Sequence, residues 1–526
     1  MKKIFTNKVF VLNVSAALLV IGSLAHYWMG YFHYDWSGDA WGTDDAYITY
    51  RYAENLANGN GIVFNPGDPV EGYSNLLYLL LLTPVFLVGA STHVYVVSVV
   101  LNICFGIGAL YVFANYTRDK FGNTNGSLAA FVFVLTPPLW MWISSGMETI
   151  LVVFLVLLLM VYVERIIEGA KDLRILSLLL ICISMARADG FVIASIVIFY
   201  LFLKGCFREM LWSLLVVVCT LSAYSIWRLY YYGDLLPNTY YAKVSGPLIE
   251  RVVFAIRQLW GISMNEGLFV YLLVAVLVFV QVISNLYRKS PLENQHLFKF
   301  EAVFIFAWIF YWIYIGADHF VERFLVVLYP LGLIALFRYI GSDLGGRGRI
   351  FIVSMLIILQ LRMVVLDDRF LYTFDKYDRN IELGQMIKEE YEGKLLASDA
   401  AGKIPFYSGL QTIDMLGLND RHIARIEPTF FEVGHNKFDP DYVLSLCPDL
   451  IVNWVKDRDM NLVRGVTRDK YEGFYKWVYL LNASRESKDV NIVNVSNTSL
   501  NDVQKLLDQE YSIAVLEKVK CKTLFD

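Results

Sequence analysis

Two adjacent carboxylates, Asp44 and Asp45, open a polar and aromatic stretch that runs through Tyr47, Arg51 and Tyr52 to Glu71 and Asn75. A carboxylate placed against a hydroxyl can take its proton and turn the oxygen into a nucleophile. A second carboxylate beside it raises the proton affinity of the first or helps to hold a cation. The same pair has a simpler use: acidic side chains at a helix start satisfy its first amides and complement its dipole. The residue types allow both readings. Thr43 or Asp44 suits an N-cap, and a helix from there to about Leu56 gathers Asp44, Ile48, Arg51 and Tyr52 around its face. Glu71 and Asn75 follow in NPGDPVEGYSN, a turn-rich loop in which they are either contacts for sugar hydroxyls or solvated surface.

Three further sets carry charge next to apolar runs. Glu148 lies in SSGMET, where it is either a dipole partner of the following helix or a ligand-binding carboxylate. Arg187 and Asp189 lie in ARADG, between two apolar runs. An ion pair there is costly unless it is buried in protein or lines a wet cavity, and Arg is a fork-shaped donor well suited to phosphate. The third set joins Asn238, Tyr241 and Lys243 of YYGDLLPNTYYAK to Asp318, His319 and Arg323 of GADHFVER. Lys243, His319 and Arg323 would form an electropositive site opposite the acidic first loop, an arrangement that suits expulsion of a phosphate. Lone charges at membrane level more often snorkel to the surface. Convergence of these sets on one side is what favours chemistry.

The elements that must position these groups are apolar. Hydrophobic residues make up 57% of the 526 residues and charged ones 18%, against about a quarter in a soluble globular chain. Mean hydropathy is +0.49. A net charge of -4 without a long basic run excludes a nucleic-acid partner. Apolar runs that reach or approach spanning length are Val9–Met29, Val94–Ala114, Leu128–Ile143, Met147–Val163, Ile175–Ala188, Phe191–Leu203, Met210–Tyr230, Leu268–Ile283, Phe300–Ile315, Phe324–Phe337 and Ile350–Val365. The first follows Lys2, Lys3 and Lys8 and is read as a retained helix, since no clear cleavage site follows it.

Placing the basic connections (Arg118/Lys120, Arg165/Lys171/Arg174, Lys204/Arg208, Arg288/Lys289/Lys299 and Arg338/Arg347/Arg349) in the cytoplasm requires that Tyr73–Ala90 not cross fully. The expected architecture is therefore mainly α, with about eleven spans in residues 1–366. The first outside loop covers 32–74, Tyr73–Ala90 is a partly inserted helix, and the tail 367–526 lies outside. In that tail KLLASDAAGKIPFYSG, LQTIDMLGL and DLIVNWV predict short apolar strands followed by turns, and YDRNIELGQMIKEEYEG predicts a helix ending at Gly393, which together make a small α/β domain. Cys447 and Cys521, the two cysteines of the tail, either pair or stay free. Asp399, in SDAAGKIPFYSG, either faces the cavity or caps a strand-to-helix turn.

DDAYITYRYAENLANGNGIVFNPGDPVEGYSN resembles the first extracytoplasmic loop of a group of bacterial GT-C glycosyltransferases, whose best-known branch is the terminal β-(1→2) arabinofuranosyltransferase family of mycobacterial cell walls. SSGMET, ARADG, YYGDLLPNTYYAK, GADHFVERF and SDAAGKIPFYSGLQTIDMLGLND resemble later blocks in the same order, so the likeness runs from Trp41 to Asp420. Three blocks depart from the pattern: SGMET replaces SGLET, GADH replaces GGDH, and RADG lacks the family's proline, so the helix break there must form without it.

The resemblance implies a multi-pass enzyme of the bacterial cytoplasmic membrane with its site on the extracytoplasmic side. Its donor is a polyprenyl-phosphate sugar, with arabinofuranose suggested by the best-known branch, and its acceptor is a hydroxyl of a cell-envelope glycan or glycolipid. Asp44 or Asp45 would take the acceptor proton in an inverting displacement, and polyprenyl phosphate would leave toward Arg187, Lys243, His319 or Arg323. Tyr47, Arg51, Tyr52, Glu71, Asn75, Glu148, Asp189, Asn238, Tyr241 and Asp318 are the candidate substrate contacts. The donor lipid would lie near Tyr73–Ala90, and the tail would help to bind the acceptor. A divalent cation stays open, with Asp44, Asp45 and Glu148 as its ligands if one binds. The rival functions are a flippase for lipid-linked sugars, which calls for polar groups at mid-membrane, and transfer of the sugar to protein.

Overall fold

The structure is a computed structural model that describes residues 8–31, 42–244, 246–266, 268–270, 272, 276, 299–318, 323–343, 346–366, 379–428, 434, 436–482, 492–508 and 511–521. Its first part is helical: α1 (Lys8–Tyr31), α2 (Asp44–Ala57), α3 (Leu76–Leu87), α4 (Val94–Val134), α5 (Pro137–Ser144), α6 (Thr149–Ile167), α7 (Arg174–Ala186), α8 (Gly190–Leu203), α9 (Phe207–Tyr232), α10 (Asn238–Lys243), α11 (Leu248–Glu266), α12 (Phe300–Ile315), α13 (Leu328–Asp343) and α14 (Gly346–Leu366).

Among the described residues three helical stretches, Ser91–Val134, Thr149–Ile167 and Phe207–Tyr232, are long and apolar enough to cross a membrane, and seven further apolar helices are shorter. α3 has 12 residues and an internal Pro84. At 1.5 Å per residue it is about 18 Å long, well under the ~30 Å of a hydrocarbon core.

Two apolar runs differ from their expected form. The run beginning at Val94 continues to the basic turn, where Gly122 takes φ 81° and ψ 163°. That conformation is open to glycine, and the chain folds back on itself there: Arg118 donates to Ser127 Oγ at 3.3 Å. The run Leu128–Ile143 is then interrupted after Val134 and resumes as α5 with Pro137 and Pro138 in its first turn, where proline is tolerated. The run Leu268–Ile283 lies mostly outside the described residues.

The helical part is held at one end by an ionic cluster. Arg338 of α13 meets Glu301 of α12 at 2.6 Å, and Lys120 of α4 meets Glu164 of α6 at 3.3 Å. The cavity described below lies at the other ends of these helices.

The C-terminal part contains α15 (Arg379–Glu390), α16 (Lys403–Ser408), α17 (Arg421–Arg425), α18 (Pro440–Ser445), α19 (Arg468–Tyr471) and α20 (Leu500–Leu507). Its strands are β1 (Leu395–Ser398), β2 (Gln411–Asp414), β3 (Leu450–Trp454), β4 (Tyr475–Asn482), β5 (Ile492–Asn494) and β6 (Tyr511–Lys518). They form one sheet in the order β2-β1-β3-β6-β4-β5. β2, β1 and β3 run parallel, and β6, β4 and β5 extend the sheet antiparallel.

Both faces are covered, as a parallel core requires. Leu450 and Val452 pack with Leu383 and Ile387 of α15 on one face, while Ile451 packs with Ile423, Val443 and Val503 on the other. The expected strands and the helix closing before Gly393 are all present, with β4, β5 and β6 in addition.

Cys447 and Cys521 form a disulfide with Cα atoms 5.3 Å apart and a sequence separation of 74. It ties the entry to β3 to the chain beyond β6. A bridge of this kind contributes about 2–5 kcal/mol. Cys447→Ser is expected to lower the unfolding temperature in scanning fluorimetry, and both thiols should resist alkylation until reduced. Ready alkylation of the unreduced protein would contradict the bridge.

Candidate active site

α2 carries the paired carboxylates and is set between the membrane-type helices and the sheet domain. Nine of its residues are buried, including the charged Arg51. The two carboxylates go to different places. Asp44 accepts the backbone amides of Gly402 and Lys403, one on each oxygen, both at 2.9 Å. Those amides open α16, so Asp44 caps a helix of the other domain rather than its own. Gly402 is required by this approach, because a Cβ there would stand 1.8 Å from the Asp44 carbonyl oxygen. Desolvation in the joint pushes the Asp44 carboxyl up to about 6, against the pull of the two amides and the Lys403 charge.

The rest of the joint uses several residues expected at the substrate. Arg51 donates to Phe64 O at 2.7 Å, to Leu410 O at 2.6 Å and to Pro405 O. The Tyr52 hydroxyl donates to Val70 O at 2.7 Å and accepts from Gly72 N–H at 2.7 Å. The Tyr47 ring packs edge-on against Phe406 at 5.4 Å. Asn238 donates to the carbonyls of Gly417 and Leu418 at 2.9 and 3.0 Å. The Tyr241 ring lies under the Arg425 guanidinium at 4.5 Å. Glu71 is buried, where desolvation raises its carboxyl against the opposing pull of Arg228, and it accepts from Tyr224 at 2.8 Å. All six are placed around the cavity described next, not in its lining.

The cavity has a volume of about 630 Å³ and lies between the helix ends and the sheet domain. Asp44, Asp45, Asn75, Arg187, Asp189, Lys243, Asp318 and Arg323 line it together. The two arginines are each fixed by their own aspartate. Arg187 meets Asp189 through Nε at 3.0 Å and through Nη2 at 3.1 Å, with its guanidinium 4.0 Å from the Phe324 ring centre. Arg323 meets Asp318 at 2.9 and 3.2 Å. Behind the wall, Glu148 lies 3.7 Å from Arg187 and accepts from Asn75 at 2.8 Å, while Asn75 accepts from Thr49 at 3.1 Å. This chain of contacts joins α2 to the turn between α7 and α8. Arg187 is extended there and breaks the helix without the family's proline.

Asp45 stands 3.7 Å from Lys243 and 3.9 Å from Arg323. Its side chain and that of Lys243 are 23% and 32% exposed, whereas those of Arg187 and Arg323 are under 10%, so Asp45 and Lys243 are the more accessible charges of the cavity. His319 lies outside the described residues. Among the described residues no group of three or more His, Cys, Asp or Glu is arranged for a metal. Of the three carboxylates considered for one, Asp44 is taken by amides and Glu148 by Arg187 and Asn75.

One side of the cavity is apolar and open: Phe191, Leu236, Tyr240 and Tyr314 are 40–55% exposed there. This rim lies at the start of α8, the end of α12 and the start of α10. Of the segment Tyr73–Ala90, only residues 73–75 reach the cavity. Tyr311 and Tyr314 were hidden within an apolar run, where a hydroxyl near the end of FYWIYIG was the sole sign. Asp399 lines the sheet-domain wall and is ion-paired with Arg464 at 2.7 Å, a partner with no signal in sequence.

Comparison with known proteins agrees with the resemblance seen in the first loop. A terminal β-(1→2)-arabinofuranosyltransferase of Mycobacterium tuberculosis is 28% identical over 221 residues, which cover 39% of this chain. The chain thus spans about a third (35%) of the length of that curated relative. Residues 370–495 match a domain of unknown function, DUF8728. The fold is similar to that of the Archaeoglobus fulgidus oligosaccharyltransferase, with a TM-score of 0.56 and 12% identity over 93% of this chain and 74% of that one. It is also similar to ArnT from Cupriavidus metallidurans, solved with undecaprenyl phosphate, with a TM-score of 0.50 and 10% identity over 83% of this chain and 92% of that one. The chain therefore shares its fold with these two solved structures, and some of its described helices are long and apolar enough to cross a membrane.

Asp44→Ala would leave the Gly402 and Lys403 amides unpaired, at about 1–3 kcal/mol for each buried group, and should lower the unfolding temperature. The pH dependence has a definite sign. Between about 4 and about 6 the folded protein holds a proton on Asp44 that the unfolded chain has released, so stability from this group falls as pH rises through that window. Asp44→Asn should flatten that slope in denaturant titrations, and an unchanged slope would contradict the placement.

Proposed function

We propose that this protein is an inverting glycosyltransferase. It moves a sugar from a polyprenyl-phosphate donor to a hydroxyl of a cell-envelope glycan or glycolipid. Arabinofuranose is the sugar suggested by the name of the mycobacterial relative. The observation that carries the reading is the division of labour on α2: Asp44 is spent on the joint, and Asp45 faces Lys243 and Arg323 across a cavity with an apolar, open rim.

In the proposed reaction Asp45 takes the proton of the acceptor hydroxyl. The oxygen attacks the anomeric carbon from the face opposite the phosphate. The bond from that carbon to the phosphate oxygen breaks, and its electron pair leaves with polyprenyl phosphate. Lys243 and Arg323 meet the charge on the leaving group, with Arg187 beside them. Lys243 and Arg323 stand within 4 Å of Asp45, so the base and the groups that meet the phosphate share one end of the cavity. The arginines, fixed by Asp189 and Asp318, need little reorganisation. Asn75 and the pair Asp189 and Asp318 are the remaining candidate substrate contacts on the lining. The polyprenyl chain would leave over the rim of Phe191 and Tyr314, so that the headgroup reacts while its tail stays in lipid.

We place the site on the extracytoplasmic face of a bacterial cytoplasmic membrane. Arg118, Arg165, Arg174, Lys204 and Arg338 lie at the helix ends away from the cavity, which supports that orientation.

Asp45→Asn should reduce turnover by about 10²–10⁴-fold, the usual contribution of a general base, while leaving the unfolding temperature nearly unchanged. The assay is release of polyprenyl phosphate from a panel of lipid-linked sugars by purified protein in nanodiscs. Lys243→Met should weaken donor use while the fold is kept. Full turnover by Asp45→Asn would remove Asp45 from the mechanism.

A further inference from the structure

The cavity has a second functional wall that the transfer step does not use. β1 is flanked by β2 on one side and β3 on the other, all three parallel. The connection leaving β1 goes to one neighbour and the next returns past it to the other. This reversal opens a crevice beyond the carboxyl end of β1, a position where open α/β sheets commonly bind ligands. Here the crevice opens into the cavity: Asp399 and Ala400 follow β1, Leu416 and Leu418 follow β2, and all four line it.

Asp399 stands at that point. Its backbone amide donates to Val452 O of β3 at 3.2 Å. One carboxylate oxygen, Oδ1, accepts from Arg464 Nε at 2.7 Å. The other, Oδ2, has no hydrogen-bond partner among the described residues, yet it is not sealed in protein. Arg464 comes from the loop after β3 and sits at φ 59°, in the left-handed region that side-chain-bearing residues rarely adopt. A carboxylate held at one oxygen, aimed at a cavity and presenting the other is built to accept hydroxyl donors. The nearby α15 residue Asn380 adds an amide to the same wall.

We infer that Asp399, positioned by Arg464, binds hydroxyl groups of the acceptor glycan. The acceptor thereby enters across the sheet-domain wall, opposite the cations that take the donor phosphate. The inference rests on the transferase reading and deepens it. A carboxylate on that wall disfavours the phosphate and suits a neutral polyol, which separates the two substrates by charge.

The test uses full-length protein in nanodiscs, undecaprenyl-phosphate arabinofuranose as donor and an octyl arabinofuranoside disaccharide as acceptor. Asp399→Asn and Asp399→Ala are expected to raise the acceptor KM about tenfold or more, as for a lost hydrogen bond to a charged group, with the donor KM within twofold of wild type. Arg464→Met should raise the acceptor KM in the same way, while unfolding temperatures stay close to wild type. An unchanged acceptor KM, or donor and acceptor KM rising together, overturns the inference while wild-type turnover keeps the transferase reading. A wild-type protein that releases no polyprenyl phosphate from any lipid-linked sugar overturns both.

Discussion

The grip of the Gly402 and Lys403 amides on the Asp44 carboxylate is the contact on which the site depends. It joins the first-loop helix to a domain more than 350 residues further along the chain. Both oxygens are engaged, so the carboxylate is fixed in rotation as well as position. Asp45 is the next residue on the same helix, and its direction follows from that anchor. Arg51, nearly two turns on, fills the joint with donors to Leu410 and Phe64 carbonyls and prevents the helix from turning about its axis. The cavity lies beside this joint, where the two domains leave space between the helix ends and the sheet.

Within the cavity, charge is arranged by exposure. The buried arginines are each paired with an aspartate, Asp189 or Asp318, which is how a charged group survives burial. Asp45 and Lys243, 23% and 32% exposed, are separated by 3.7 Å. In the proposed reaction the buried arginines define the shape of the cavity, and the more accessible pair meets the substrates. On the proposed reading the apolar rim would let a lipid-borne donor approach from the side, and the sheet wall would leave a separate route for a polar acceptor.

Much of this arrangement was legible in the chain. Helix α2 follows from Thr43 and the acidic first turn, and β1, β2, β3 and α15 follow from apolar runs closed by Gly393, Gly409 and Gly417. Strands β4 and β6 were not read, because YKWVYLLN and YSIAVLEK carry no flanking turn signal as clear as those glycines. The polar blocks that gather at the cavity were recognised, but their division of labour was not. Asp44 and Asp45 have the same side chain and neighbouring positions; what separates them is a contact with Gly402. Tyr47, Arg51 and Tyr52 look like substrate contacts in a polar loop, yet their partners are carbonyls and rings of the joint. Arg464 carried no signal at all, since its meaning depends on the return of the chain after β3.

In the proposed reaction Asp45 faces the reacting carbon while Lys243 and Arg323 hold the phosphate. The most direct test is a structure of the protein in nanodiscs with a non-transferable polyprenyl-phosphonate sugar. The phosphonate is expected against Lys243 and Arg323, the anomeric carbon on the Asp45 side, and the lipid chain passing Phe191 and Tyr314. A headgroup bound elsewhere, or one whose anomeric carbon faces away from Asp45, would contradict it.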